Sequence, residues 1–154
     1  MGQGGKGMIQ DRDFRVAVDP LVDAKFAMGE QSCEKGFDCL SSLLKIYSGL
    51  GIKFPDEWKG YTPENYASKW KENEALCRND FAEWLHSQGE FVENWNFMRP
   101  GDLLLFEGAE FTTFPAIYIG GGHLLMVWPK KIGCKVAPLR LMRKYLREVR
   151  RLVP

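Results

Sequence analysis

Apolar positions along this chain follow two different rhythms. Up to about residue 90 they recur at helical spacing, and beyond Pro100 they run together or alternate. Leu40, Leu43, Leu44, Tyr47 and Leu50 predict the best helix in the chain, with Asp38 placed to cap it and Gly49 and Gly51 to end it. Ile52–Pro55 then leaves in an extended form. Cys77, Phe81, Trp84 and Leu85 form the stripe of a second helix over about 74–88, stopped by Gly89, and residues 63–70 predict a shorter one presenting Tyr66 and Trp70. Earlier, residues 14–18 alternate and predict a short strand. Asp19-Pro20 opens a helical turn through Leu21, Val22 and Phe26, and a polar loop runs from Gly29 to Gly36.

The second half reads as strands. Arg99-Pro100-Gly101-Asp102 is a turn, Leu103–Phe106 a short apolar strand, and about 114–119 a second strand. Gly120-Gly121-Gly122 reverses the chain into a third strand over Leu124–Trp128, and Ile132–Val136 predicts a fourth. Pro138–Tyr145 reads as a short helix. Arg147, Val149, Arg151 and Val153, alternating with Glu148, Arg150 and Leu152, predict a last strand at the sheet edge. Helices first and an antiparallel meander afterwards make an α+β domain.

Length and composition narrow this further. The 154 residues suit one domain. A hydrophobic share of 45% with 27% charged residues excludes disorder and coiled coil as the main architecture. No apolar run approaches the roughly 18–20 residues of a membrane span. Met1–Gly7 is Gly-rich without an apolar stretch, which argues against a secretory signal. Residues 1–13 read as an arm, flexible or ordered by a neighbour, and 14–154 as a single domain with a helical insert at about 56–97. The formal net charge of +1 hides a split, because residues 130–154 hold nine Lys or Arg against one acid, Glu148. A solvated cationic face and docking to an acidic neighbouring subunit both account for this charge. Nucleic-acid binding is less favoured, because no recognition motif accompanies the charge.

The candidate chemistry centres on a cysteine. Cys33, Cys39, Cys77 and Cys134 match no zinc spacing, and with only His86 and His123 beside them neither a metal site nor a cofactor is expected. Cys33 and Cys39 are near enough in sequence to bridge, but reduced thiols of a protein made in a cytosol are the simpler reading. Cys39 falls at the first turn of the best helix. Unpaired N–H groups there stabilise a thiolate and prepare a nucleophile; a small apolar residue packed under the helix is the equal alternative.

Gly36-Phe37-Asp38-Cys39-Leu40-Ser41-Ser42, followed by Leu44, Tyr47, Leu50-Gly51-Ile52 and Pro55, resembles the nucleophile segment of NlpC/P60 cysteine peptidases. Arg99-Pro100-Gly101-Asp102-Leu103-Leu104-Leu105-Phe106 is similar to that family's P-G-D-L-V-F-F strand, and Ala116-Ile117-Tyr118-Ile119-Gly120-Gly121-Gly122 to its G-I-Y-L-G-N-G strand and turn. Three blocks in order cover about residues 20–154. The resemblance implies a papain-like fold, with the Cys39 helix packed on an antiparallel sheet. The Asp38-Cys39-Leu40 variant, the acidic and aromatic insert and the ending Arg150-Arg151-Leu152-Val153-Pro154 are similar to the phage cell-wall peptidase branch, whose members associate with tail tips and hubs of phages and gene transfer agents.

The departures from the family pattern matter as much. The family's base histidine falls on Phe114, its orienting polar residue on Met126, and a bordering tyrosine on Phe26. None of these side chains transfers a proton, and a thiol packed against Phe114 and Met126 is expected to be desolvated, with its pKa raised. His123 is the one nearby candidate base, but strand alternation points it away from Met126. His86 reads as a half-exposed helix residue. The resemblance thus implies a silent structural subunit of a phage tail tip or baseplate hub, assembled in the host cytoplasm, with other tail proteins as partners and peptidoglycan peptide as a further ligand. The rival is an active endopeptidase or amidase that opens host peptidoglycan with Cys39 during genome entry.

Overall fold

A computed structural model describes residues 15, 18–22, 31–32, 36–37, 39–53, 58–108, 111–128 and 133–152. Six antiparallel strands form the main sheet: β3 (Glu90–Phe91), β4 (Leu103–Gly108), β5 (Phe111–Gly120), β6 (His123–Trp128), β7 (Gly133–Pro138) and β8 (Leu146–Arg151). Their order is β3-β8-β4-β5-β6-β7, and a two-stranded ribbon of β1 (Gln31–Ser32) and β2 (Gly36–Phe37) stands apart from it. β5 and β6 pair with Ala116 opposite Met126 and Tyr118 opposite Leu124, and the register shifts between Tyr118 and Gly120 where the Gly-rich turn begins. Gly120, Gly121 and Gly122 all adopt positive φ there, which side-chain-bearing residues rarely accept.

Leu103, Leu104, Leu105 and Phe106 are all fully buried, so β4 is covered on both faces. Alternation sorts the two covers. Leu103, Leu105, Ile117, Leu125 and Cys134 pack with helices α1 (Cys39–Gly49) and α3 (Glu74–His86). Leu104, Phe106, Ala116, Leu124 and Met126 pack with Val92, Leu139, Leu146 and Val149. The second face is roofed by the single-turn helix α4 (Leu139–Met142) and the 3₁₀ turns Trp95–Phe97 and Arg143–Tyr145. This α+β layering is the expected one, and the helices fall on the expected stripes.

Helix α1 buries Leu40, Leu43, Ile46 and Tyr47 and ends at Gly51, whose φ is +75°. Tyr47 donates through its hydroxyl to the Gly101 carbonyl at 2.8 Å, tying the end of α1 to the turn before β4. Helix α2 (Tyr66–Glu72) and α3 carry an aromatic cluster: Trp58 stacks on Trp84 at 4.2 Å and on Tyr61 at 5.2 Å, with Phe81 and Tyr66 against its edge. Asn73 caps α3 by accepting from the Leu76 amide at 3.1 Å.

Three elements differ from the sequence expectation. The segment read as a polar loop from Gly29 to Gly36 holds the paired strands β1 and β2, because two-residue strands are too short to show a period. Arg15 and Val18 are helical rather than extended, and Val18 and Leu21 are buried against the α1 face. Alternation over five residues is too short to distinguish a strand from a turn beside a proline. The last strand is not an edge. β8 lies between β4 and β3, because the unforeseen two-residue strand β3 pairs outside it, Glu90 opposite Arg151 and Phe91 opposite Arg150. The expected cap Asp38, the arm 1–13 and a Cys33–Cys39 bridge lie outside the described residues.

Candidate active site

Cys39 is the first residue of α1. The free N–H groups of a first turn and the helix dipole favour negative charge at this place, so the backbone supplies half of what a thiolate nucleophile requires. The side chain of Cys39, and all of Phe26, lie outside the described residues. Leu40, the next residue, is buried with Leu43 on the α1 face of the sheet. Helix α1 packs beside β1, β2 and β6.

The structure places Phe114 and Met126 in one apolar cluster on the same face of the sheet. Phe114 stands on β5 opposite Phe106, and Met126 on β6 opposite Ala116. Met126 is 2% exposed, and Phe114 is half-buried against the same cluster as Phe106, Ala116 and Leu124. That cluster covers the face opposite Leu40 and Leu43. His123 opens β6 beside the glycine turn and is exposed, one residue before the buried Leu124.

His86 makes the polar constellation that the sequence did not signal. As the last residue of α3 it reaches three strands. Its Nδ1 lies 2.6 Å from Glu148 Oε1 on β8, and its Nε2 lies 3.1 Å from Thr113 Oγ1 on β5 and 3.3 Å from Glu107 Oε2 on β4. Thr113 donates to Glu107 at 3.1 Å, and Arg150 donates to Glu148 and to the Gln88 carbonyl. With both ring nitrogens engaged, His86 fastens the end of α3 onto the sheet. These partners lie 21 to 62 residues away along the chain, so no local pattern could have found them.

A second polar anchor holds the turn that opens β4. Asp102 is fully buried and accepts from Arg151 Nε at 2.9 Å, from Arg151 Nη2 at 2.8 Å and from the Arg99 amide at 2.9 Å. This geometry holds the Arg151 guanidinium well within its charged form. Burial, helped by the Asp102 charge, pushes the Tyr47 hydroxyl well above the usual tyrosine range. Cys77 and Cys134 are buried, and burial raises the Cys77 pKa. Among the described residues no group of three or more His, Cys, Asp or Glu could hold a metal ion, and no helix is long and apolar enough to cross a membrane.

Against known proteins, the fold has clear counterparts. An NlpC/P60 family protein from Bacillus cereus superposes with a TM-score of 0.65 at 18% identity, over 94% of this chain and 41% of that one. NlpC1 from Trichomonas vaginalis gives 0.64 at 17% identity, over 97% of this chain and 45% of its own. The NlpC/p60 domain of the peptidoglycan hydrolase SagA gives 0.58 at 16% identity, over 93% of this chain and 99% of that one. The chain therefore spans less than half of the first two structures, while the SagA domain is matched nearly end to end. No curated protein sequence matches it. The sequence profile of the NlpC/P60 family matches residues 23–151, from the segment before the cysteine helix through the last strand, and with the fold in agreement over that span the chain belongs to the NlpC/P60 family.

Proposed function

We propose that this protein is a catalytically silent member of its family, serving as a structural subunit at the tail tip or baseplate hub of a phage or phage-like particle. The observation that carries the silent reading is the chemistry at two positions. Where the family pattern calls for a base and its orienting partner, this chain has Phe114 and Met126. Both belong to an apolar cluster with Phe106 and Ala116. A phenyl ring and a thioether accept no proton from a thiol and return none to a leaving amine. Base catalysis alone accounts for about 10²–10⁴ in rate, and a triad acting as a unit accounts for more. His86 is no replacement on this reading. Both of its ring nitrogens are already engaged, Nδ1 by Glu148 and Nε2 by Thr113 and Glu107. The tail placement rests on the Asp38-Cys39-Leu40 variant, the aromatic insert and the C-terminal Arg150-Arg151-Leu152-Val153-Pro154.

One observation favours the rival reading of a working peptidoglycan endopeptidase or amidase: Cys39 is the first residue of a helix, where a thiolate is stabilised. Purified protein incubated with muropeptides separates the two. The silent reading expects no turnover above that of Cys39→Ala, together with stoichiometric recovery of the chain from purified tail particles. Muropeptide cleavage lost in Cys39→Ala overturns the silent reading, and absence of the chain from purified particles overturns the tail placement.

A further inference from the structure

The segment joining β7 to β8 is amphipathic over one turn of α4 and one 3₁₀ turn. Leu139, Met142, Tyr145 and Leu146 pack inward on the second face of the sheet. Arg140, Leu141, Arg143, Lys144 and Arg147 are exposed. Several cations elsewhere in the fold meet carboxylates: Lys59 with Asp80 and Glu83, Arg78 with Glu74, Arg150 with Glu148, and Arg151 with Asp102. Among the described residues none of the four ridge cations forms an ion pair. Neutral groups hold three of them instead. The Arg143 guanidinium lies 5.8 Å from the Trp95 ring centre, Lys144 Nζ lies 5.0 Å from that of Tyr145, and Arg147 donates to the Lys144 carbonyl at 3.0 Å. Such contacts restrict the long side chains without cancelling their charge, which lowers the entropy lost when a partner engages them.

Two large apolar side chains accompany the charge. Leu141 is 60% exposed on the ridge itself, and Phe97 is 68% exposed on the 3₁₀ turn that also carries Trp95. An open depression of about 470 Å³ borders the ridge, lined by Glu107, Gly108, Lys144, Tyr145 and Arg147.

We infer that this ridge is a docking surface for an acidic protein segment that also carries apolar side chains. Its charge is positive, held in place and unneutralised, so carboxylates are the complementary group. Exposed leucine and phenylalanine beside arginine and aromatic rings give the composition of a protein–protein contact rather than of a phosphate track. The ridge lies on the face opposite the Leu40 side of α1, and the inference is independent of whether Cys39 works.

The test uses the full-length protein and three fluorescent probes: a peptide alternating Glu with Leu and Phe, a Glu-only peptide of equal charge, and a short mixed-sequence DNA duplex. Anisotropy is read at about 50 and about 150 mM salt, because screening strips non-specific charge contacts at the higher value. The Glu-Leu-Phe peptide is expected to bind tightest at the higher salt. Arg143→Glu with Lys144→Glu is expected to weaken it at least about tenfold, a loss of about 1.4 kcal/mol. Leu141→Ser with Phe97→Ser is expected to erase its advantage over the Glu-only peptide. Lys45→Glu with Lys71→Glu, charge reversals at exposed sites on other elements, is expected to change it by less than about twofold. Equal affinity of the Arg143→Glu/Lys144→Glu variant, tighter binding of DNA than of peptide, or binding of no probe each overturns the inference, provided circular dichroism shows the variant folded.

Discussion

Arg151→Met breaks one buried charge pair and also removes the guanidinium's hydrogen bond to the Phe97 carbonyl at 2.9 Å. The substitution keeps most of the apolar stem and removes both side-chain donors to Asp102, leaving a fully buried carboxylate with the Arg99 amide. Breaking a buried pair from one side costs about 3–5 kcal/mol, because the stranded charge has lost water without a partner. The Arg151 side chain is itself 18% exposed, so some water follows the substitution and the lower end of that range is the expected value. In a chain of this size each kcal/mol moves the melting temperature by about 2–4 °C, so a fall of at least about 6 °C is expected. Asp102 also joins strands through its backbone, accepting from the Tyr118 amide and donating to the Arg99 carbonyl, so the damage is expected to spread to the β4–β5 pair. The assay is urea unfolding followed by tryptophan fluorescence in a double-mutant cycle with Asp102→Asn. Removing both charges is expected to cost less than the sum of the single losses, by about 1–3 kcal/mol. A loss below about 1 kcal/mol in Arg151→Met, or strict additivity in the cycle, refutes the reasoning.

Two more outcomes follow from burial. Tyr47 holds its proton in the folded state well above the pH at which an unfolded tyrosine releases it, so the unfolded chain binds fewer protons in alkali and stability falls as pH rises above about 10, by up to about 1.4 kcal/mol per pH unit for this group. Tyr47→Phe removes that share of the slope, and an unchanged slope in alkaline unfolding curves contradicts it. Gly89→Ala is expected to cost distinctly more than Gly51→Ala in the same unfolding assay: both positions have positive φ, worth about 1–2 kcal/mol of strain, but a Cβ at Gly89 would collide with the Arg151 carbonyl, while at Gly51 it meets nothing within 4 Å. Equal losses at the two glycines would show that the close approach relaxes without cost.

What was legible in advance was local or repeated. The stripe of Leu40, Leu43 and Tyr47 specifies a helix because each turn carries its own evidence, and glycine after Leu50 marks its end through a backbone conformation that only glycine takes readily. The apolar run from Leu103 to Phe106 foretold a short strand, and Gly120–Gly122 foretold the hairpin. The same local reading failed where the evidence was thin. Residues 14–18 alternate for only five positions, and Arg15 and Val18 turned out helical. β3 has two residues, too few for any period, and its pairing outside β8 moved the last strand from the edge into the sheet.

By itself, then, the amino-acid order determined the α+β class, the place of Cys39 at a helix start and the apolar character of Phe114 and Met126, because residue type and short-range spacing are enough for each. Only the tertiary structure decided which residues meet across the sheet. It gathered His86, Glu107, Thr113 and Glu148 from four elements, placed Arg151 on Asp102, and put Met126 on the face opposite Leu40. Those outcomes depend on strand order and on which face each side chain takes, and both are set by long-range pairing and burial that no local window contains.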